Sequence, residues 1–258
     1  MSTYECRKRA KSVLKGCYSE GIFVVMVYIV MYLIFKLSDI VKIAVILYNS
    51  NINVSGLFVT SDISGMLMKY VSGIIAFVVM TPLLTGGLWW FYQTACGSDN
   101  KNILKLYTGF RLNIRAAVLY AVIWFILLLS LIPTGICWAA AAFLLETVSE
   151  YRNQAVVLFI CLQLFMAGIF LLGLYLRAVT GTILAPFVFI RNPDMNAFKI
   201  LAVSGKKIYG SKLECLKLIM TYIPAMLPIV TIPFVLPKLL MSLAVFACDR
   251  IGEGNWES

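Results

Sequence analysis

The stretch RNPDMNAFKILAVSGKKIYGSK, residues 191–212, decides how the chain is read. It is basic and amphipathic, yet long apolar runs lie on both sides of it. Pro193 suits a helix start, where its missing N–H goes unused. Asn192 precedes it as a cap, and Asp194 favours the positive end of the helix dipole. Beyond them Phe198, Leu201, Ala202, Gly205, Ile208 and Tyr209 recur at three- and four-residue spacing, with Asn196, Lys199, Lys206 and Lys207 opposite. That spacing predicts a helix lying in a membrane interface, apolar side down and lysines toward anionic headgroups.

The composition points the same way. Of 258 residues, 61% are hydrophobic and 13% charged. A soluble domain is about 45–50% apolar and about 25% charged. No fold hides that excess from water, so the solvent is lipid. Apolar blocks cover roughly residues 22–48, 63–96, 112–132, 135–145, 155–190 and 216–248. About 20 apolar residues cross a hydrocarbon core about 30 Å thick, and inside it the backbone must bond to itself, so the blocks read as helices. The first of them reads as an uncleaved signal anchor. The expected fold class is all-α, a polytopic transmembrane helical bundle of about six spans. Residues 112–190 cross either as two long helices or as four short ones. Pro224, Pro228, Pro233 and Pro237 predict a kinked helix, a broken turn and a short last helix.

Basic residues orient the blocks. Arg7, Lys8, Arg9, Lys11 and Lys15 precede the first. Lys101, Lys105, Arg111 and Arg115 follow the second, and a third island runs from Arg191 through Lys199, Lys206 and Lys207 to Lys217. The alternate connections are poor in base, which places the three islands and both termini in the cytoplasm. Each island carries a surface helix. Ala10, Val13, Leu14, Cys17 and Tyr18 make an apolar stripe against Arg7, Lys8, Lys11 and Lys15. Ile103, Tyr107, Phe110 and Ile114 do so against Lys101, Lys105 and Thr108. The chain thus reads as one membrane domain, 1–258, of three loose repeats, 1–96, 97–190 and 191–258. Candidate headgroup contacts are Arg7, Lys8, Lys11, Lys15, Lys101, Lys105, Lys199, Lys206 and Lys207. The net charge of +10 belongs to this arrangement and not to nucleic acid.

Catalytic chemistry has little to stand on. The chain has no histidine, which removes His-based triads, zinc-protease helices and His proton relays. Seven scattered cysteines without a C-x-x-C pair predict neither a disulfide framework nor a metal site. No cofactor is expected, and no pair of carboxylates lies at membrane depth. In TPLLTGGLWWFY, Gly86 and Gly87 predict close helix packing, with Trp89, Trp90 and Tyr92 as an interfacial aromatic anchor. Arg177 is the strong base inside a long apolar run. Beside it lies a small-residue face of Ala178, Gly181, Thr182 and Ala185, and Pro186 leaves the Thr182 carbonyl without a helical donor. The prediction is a buried intramembrane charge, bonded to carbonyls or a hydroxyl.

The segments RKRAKSVLKG, PLLTGGLWWFY, LYTGFR, LIP and APFVFIRNPDMNAFKILAVSGKKIYG resemble a functionally uncharacterised family of Gram-positive bacterial polytopic membrane proteins. That family is distantly similar to the membrane domain of some glycerophosphodiester phosphodiesterases. The resemblance covers most of the chain but not the extra apolar length between LIP and APF. It implies a bacterial cytoplasmic-membrane location and no catalytic domain. The expected function is a non-enzymatic scaffold or accessory protein contacting anionic lipids or a partner complex. The alternative is a small-solute or lipid transporter or channel.

Overall fold

The computed structural model describes residues 2–48, 63–97, 108–111, 113–147 and 154–252. Among the described residues every regular element is helical. They are α1 (Thr3–Lys15), α2 (Tyr18–Tyr48), α3 (Ile63–Ala95), α4 (Thr108–Arg111), α5 (Asn113–Glu146), α6 (Gln154–Thr182), α7 (Ala185–Arg191), α8 (Ala197–Lys207), α9 (Lys212–Met226) and α10 (Ile232–Gly252). A 3-10 turn at Ile229–Thr231 joins the last two. Five segments are long and apolar enough to cross a membrane: Tyr18–Leu37, Tyr70–Ala95, Ile114–Glu146, Gln154–Arg191 and Ile229–Gly252. The chain is an all-α, multi-pass membrane protein. Between residues 112 and 190 the described residues form two long helices, α5 and α6, followed by the short α7, and not four short spans. The expected sixth span falls short: α9 has 15 residues, about 22 Å at 1.5 Å per residue. The prolines break the final block as expected, but the short arm comes first and the last helix is the long one.

Contacts group the chain into two compact units, which cut across the three sequence repeats. The first is Met1–Ala117 with Lys217–Ser258, the second Val118–Leu216. The first unit is built on α10, which packs against α1, α2 and α3. It buries Met241, Ala244, Val245, Phe246, Ala247 and Ile251. Helix α3 divides in two. Tyr70, Val71, Ile74 and Ile75 are exposed, whereas almost every residue from 81 to 95 is buried or half-buried. Helix α2 does the same, with Val24 and Val25 inside and Leu33, Ile34 and Leu37 outside. Each large apolar side chain left in water forgoes about 1.5–3 kcal/mol of burial, so lipid must cover these outward rows.

Of the aromatic residues expected as an interfacial anchor, Trp90 and Tyr92 are core, while Trp89 is half-buried. Trp90 is 2% and Phe91 0% exposed, and their rings meet edge to face at 5.0 Å. The reason is the neighbourhood, since α1, α2, α4 and α10 all pack on α3. Gly86 of α3 does serve a close approach. A Cβ on Gly109 of α4 would collide with the Pro82 carbonyl oxygen and lie 2.9 Å from the Gly86 nitrogen. A disulfide between Cys96 and Cys248, 152 residues apart with a Cα–Cα distance of 5.9 Å, corrects the expectation of no bridge. Scattered cysteines carry no local sign of a partner that distant.

In the second unit α5 and α6 run antiparallel. Trp138 stacks on Phe165 at 6.4 Å, and the Cys161 thiol donates to the Ala141 carbonyl at 3.7 Å. A Cβ on Gly168 would strike the Trp138 indole. Helix α6 stops at Thr182, just before Pro186 removes a backbone donor, and α7 carries that proline in its first turn. Helix α8 packs on α6 and α7. It starts at Ala197 behind Asn196, so Pro193 and Asp194 belong to the preceding turn and not to the helix.

Gly109→Ala and Gly168→Ala should therefore each lower stability by about 1–3 kcal/mol, the usual cost of overpacking. Gly205→Ala, mid-helix in α8 with open space around it, should be neutral or stabilising by up to about 1 kcal/mol. Thermal unfolding in one detergent checks all three.

A candidate lipid-headgroup groove on α1

Helix α1 is fixed at both its start and its inner face. The Ser2 hydroxyl accepts from the Glu5 N–H at 3.4 Å, and the Ser2 N–H donates back to the Glu5 carboxylate at 2.8 Å. This reciprocal capping box satisfies two donors that a helix start leaves unpaired. Hydrogen bonds from Ser2, the backbone one first and the side-chain one second, hold the Glu5 carboxyl below its ordinary range. Cys6, Ala10 and Leu14 recur every fourth residue and are buried, as is Cys17 just beyond. The opposite side carries Arg7, Lys8, Lys11 and Lys15, all exposed.

Within the first unit these cations form one side of a groove of about 800 Å³. Ala10 and Leu14 contribute apolar floor. Tyr18, Tyr222 of α9 and Lys238 of α10 supply further lining. Two tyrosines are tied to α10 by their hydroxyls. The Tyr18 O–H donates to the Phe234 carbonyl at 3.0 Å. The Ser242 hydroxyl donates to the Lys238 carbonyl at 2.8 Å, which makes Tyr222 the donor in its own 2.8 Å bond to Ser242. Each fixed ring carries a cation over its face. The Arg7 guanidinium lies 5.5 Å from the Tyr222 centroid, and the Lys238 ammonium lies 5.5 Å from that of Tyr18.

The chemistry of that arrangement is one-sided. Five cations line the groove and no carboxylate is among its described lining residues. A ring face steadies a cation by about 0.5–1 kcal/mol at an exposed site, yet accepts none of its N–H bonds. The donors of Arg7 and Lys238 stay available to a ligand. Neighbouring cations one turn apart on α1, about 6 Å along the axis, lie within a Debye length of about 10 Å at 0.1 M salt and repel. A bound polyanion would relieve that repulsion.

The other expected contacts lie elsewhere or out of view. Lys101 and Lys105 fall outside the described residues. Lys199 and Lys206 are exposed on α8, in the second unit, and Lys207 is half-buried. The buried stripe of α8 is Ala197, Ile200, Ser204 and Ile208, whereas Phe198 and Tyr209 of the expected stripe point outward. Ser204 sets this rotation. Its hydroxyl donates at 2.7 Å to the Gly181 carbonyl, one of the carbonyls that the end of α6 leaves without a helical donor. Arg177 is exposed and not buried among helices. It lies one turn before Gly181, where helix α8 docks. Its own carbonyl accepts from the Thr180 hydroxyl at 3.0 Å. Tyr18, Tyr222 and Lys238 escaped the sequence reading of the site. The one available signal was Lys238 itself, a lone cation in an apolar block.

No family model, no characterised protein and no solved structure matches the chain.

Since bonding depresses the folded-state pKa of Glu5, its contribution to α1 is complete above the unfolded value, near 4.5, and is lost as pH falls through the lower folded value. Protection of the Cys6 amide, bonded to the Ser2 carbonyl at 3.0 Å, should fall on acidification over that range and be level from pH 5.5 to 7. Ser2→Ala should reduce this protection by roughly three- to tenfold at neutral pH. Hydrogen exchange on the whole protein checks both.

Proposed function

We propose that the protein is a non-enzymatic scaffold or accessory protein of the bacterial cytoplasmic membrane, held to the anionic inner leaflet by its basic surface helices. The observation that carries this reading is the α1 groove, with five cations and no described carboxylate. Each Lys or Arg near an anionic leaflet contributes about 1 kcal/mol of attraction, so four on α1 and one on α10 make a substantial local term. Both termini face the cytoplasm in this reading, because the basic islands flank the spans on one side. The absence of histidine and of paired carboxylates in the apolar segments supports a role without catalysis.

Protein solubilised gently should carry anionic phospholipid in excess of its share in the bulk membrane. The triple variant Lys8→Gln, Lys11→Gln, Lys15→Gln should lose at least half of that excess. Lipid extraction and phosphate analysis read the result; a wild type carrying only the bulk composition would contradict the proposal. For orientation, Lys11→Cys should resist an impermeant maleimide in intact cells and react in inverted vesicles.

A further inference from the structure

The groove is more specific than a diffuse basic collar requires. Arg7, Lys11 and Lys15 stand four residues apart on one row, spanning about 12 Å at 1.5 Å per residue. The charges gather toward its two ends. Arg7 and Lys8 lie at one, by Tyr222; Lys15 and Lys238 lie at the other, by Tyr18, with Lys11 between. The two end cations come from different helices, and each sits on a tyrosine anchored to α10. A collar that only enforced topology would need none of this anchoring. One phosphate engages two or three donors and would leave the far end unopposed.

Resting on the lipid-contact reading above, we propose that the groove is a headgroup site for a phospholipid with two phosphates joined by a glycerol, the cardiolipin class. Each phosphate takes one end of the groove. The Arg7 guanidinium offers paired N–H donors to one, and the Lys15 and Lys238 ammonium groups hold the other as point charges. The apolar floor of Ala10 and Leu14 suits the glycerol and ester region between them. Basic pockets of this kind are a recurring means of binding such headgroups.

The test uses the full-length protein, delipidated in an uncharged detergent and titrated by native mass spectrometry. The probes are cardiolipin, phosphatidylglycerol at matched phosphate, and inorganic pyrophosphate as a soluble polyanion that lacks the glycerol bridge and acyl chains. Cardiolipin should bind at least tenfold more tightly per phosphate than phosphatidylglycerol, with pyrophosphate weaker than either. Arg7→Gln or Lys238→Gln should each bring cardiolipin to the level of phosphatidylglycerol, while Arg7→Lys keeps part of the preference. The pair Lys199→Gln with Lys206→Gln, on α8, should change nothing. All of these side chains are exposed, so an unchanged thermal midpoint certifies the fold of each variant. Equal affinity at matched phosphate would overturn the two-phosphate site and leave lipid contact standing. Equal losses from the groove and α8 variants would overturn it too, as would tightest binding of pyrophosphate. Failure of both lipids to bind would overturn the lipid-contact reading as well.

Discussion

The packing of α1 on α10 is the constraint from which the site follows. Cys6, Ala10 and Leu14 are spent against protein, so the charged side of α1 has only one way to turn. Had that stripe faced lipid, α1 would lie in the interface by the hydrophobic effect and its lysines would serve mainly for solubility. With the stripe taken, attraction between α1 and a membrane is electrostatic and weakens with salt. Beside that packing, Tyr18 at the start of α2 bonds to the α10 backbone and Tyr222 of α9 bonds to Ser242.

Water-free surroundings explain the rest. Among the described residues, apolar rows on the outer parts of α2 and α3, and along α5 and α6, stay exposed on the protein surface. Lipid tails complete them without any interdigitating design. Where protein does meet protein, small residues decide the distance: Gly109 against the Pro82 turn of α3, and Gly168 under Trp138. The Cys96–Cys248 bond ties the end of α3 to α10. In the proposed orientation it faces the reducing compartment, where thiols are the resting state. The α3–α10 packing must then hold without the bond.

Much of the fold was legible because lipid imposes long apolar helices that composition alone reveals. The existence of α1 and the apolar row of Ala10, Leu14 and Cys17 were also legible from helical spacing, but that row was expected against lipid and packs on α10 instead. What was not legible depends on tertiary partners. The buried face of α8 is set by one bond, Ser204 to Gly181, between segments whose spacing says nothing of the contact. Arg177 looked buried because its apolar run continues to Ile190, but the run is two helices, with a break at residues 183–184 just before Pro186. Trp90 and Tyr92 looked like interface anchors until four helices were seen to surround them. The tyrosine-mounted cations join residues about 200 positions apart, and no pattern in one sequence pairs them.

In the proposed function the charged face of α1 rests at the anionic surface of the bilayer. A nitroxide at Lys11, with the protein reconstituted in vesicles containing anionic lipid, measures its depth by power saturation. Headgroup-level depth is expected, with access to both oxygen and a water-soluble nickel chelate intermediate between bulk water and hydrocarbon. In purely zwitterionic vesicles the label should move toward water. Bulk-like access to the nickel chelate in anionic vesicles, or a depth indifferent to lipid charge, would contradict it.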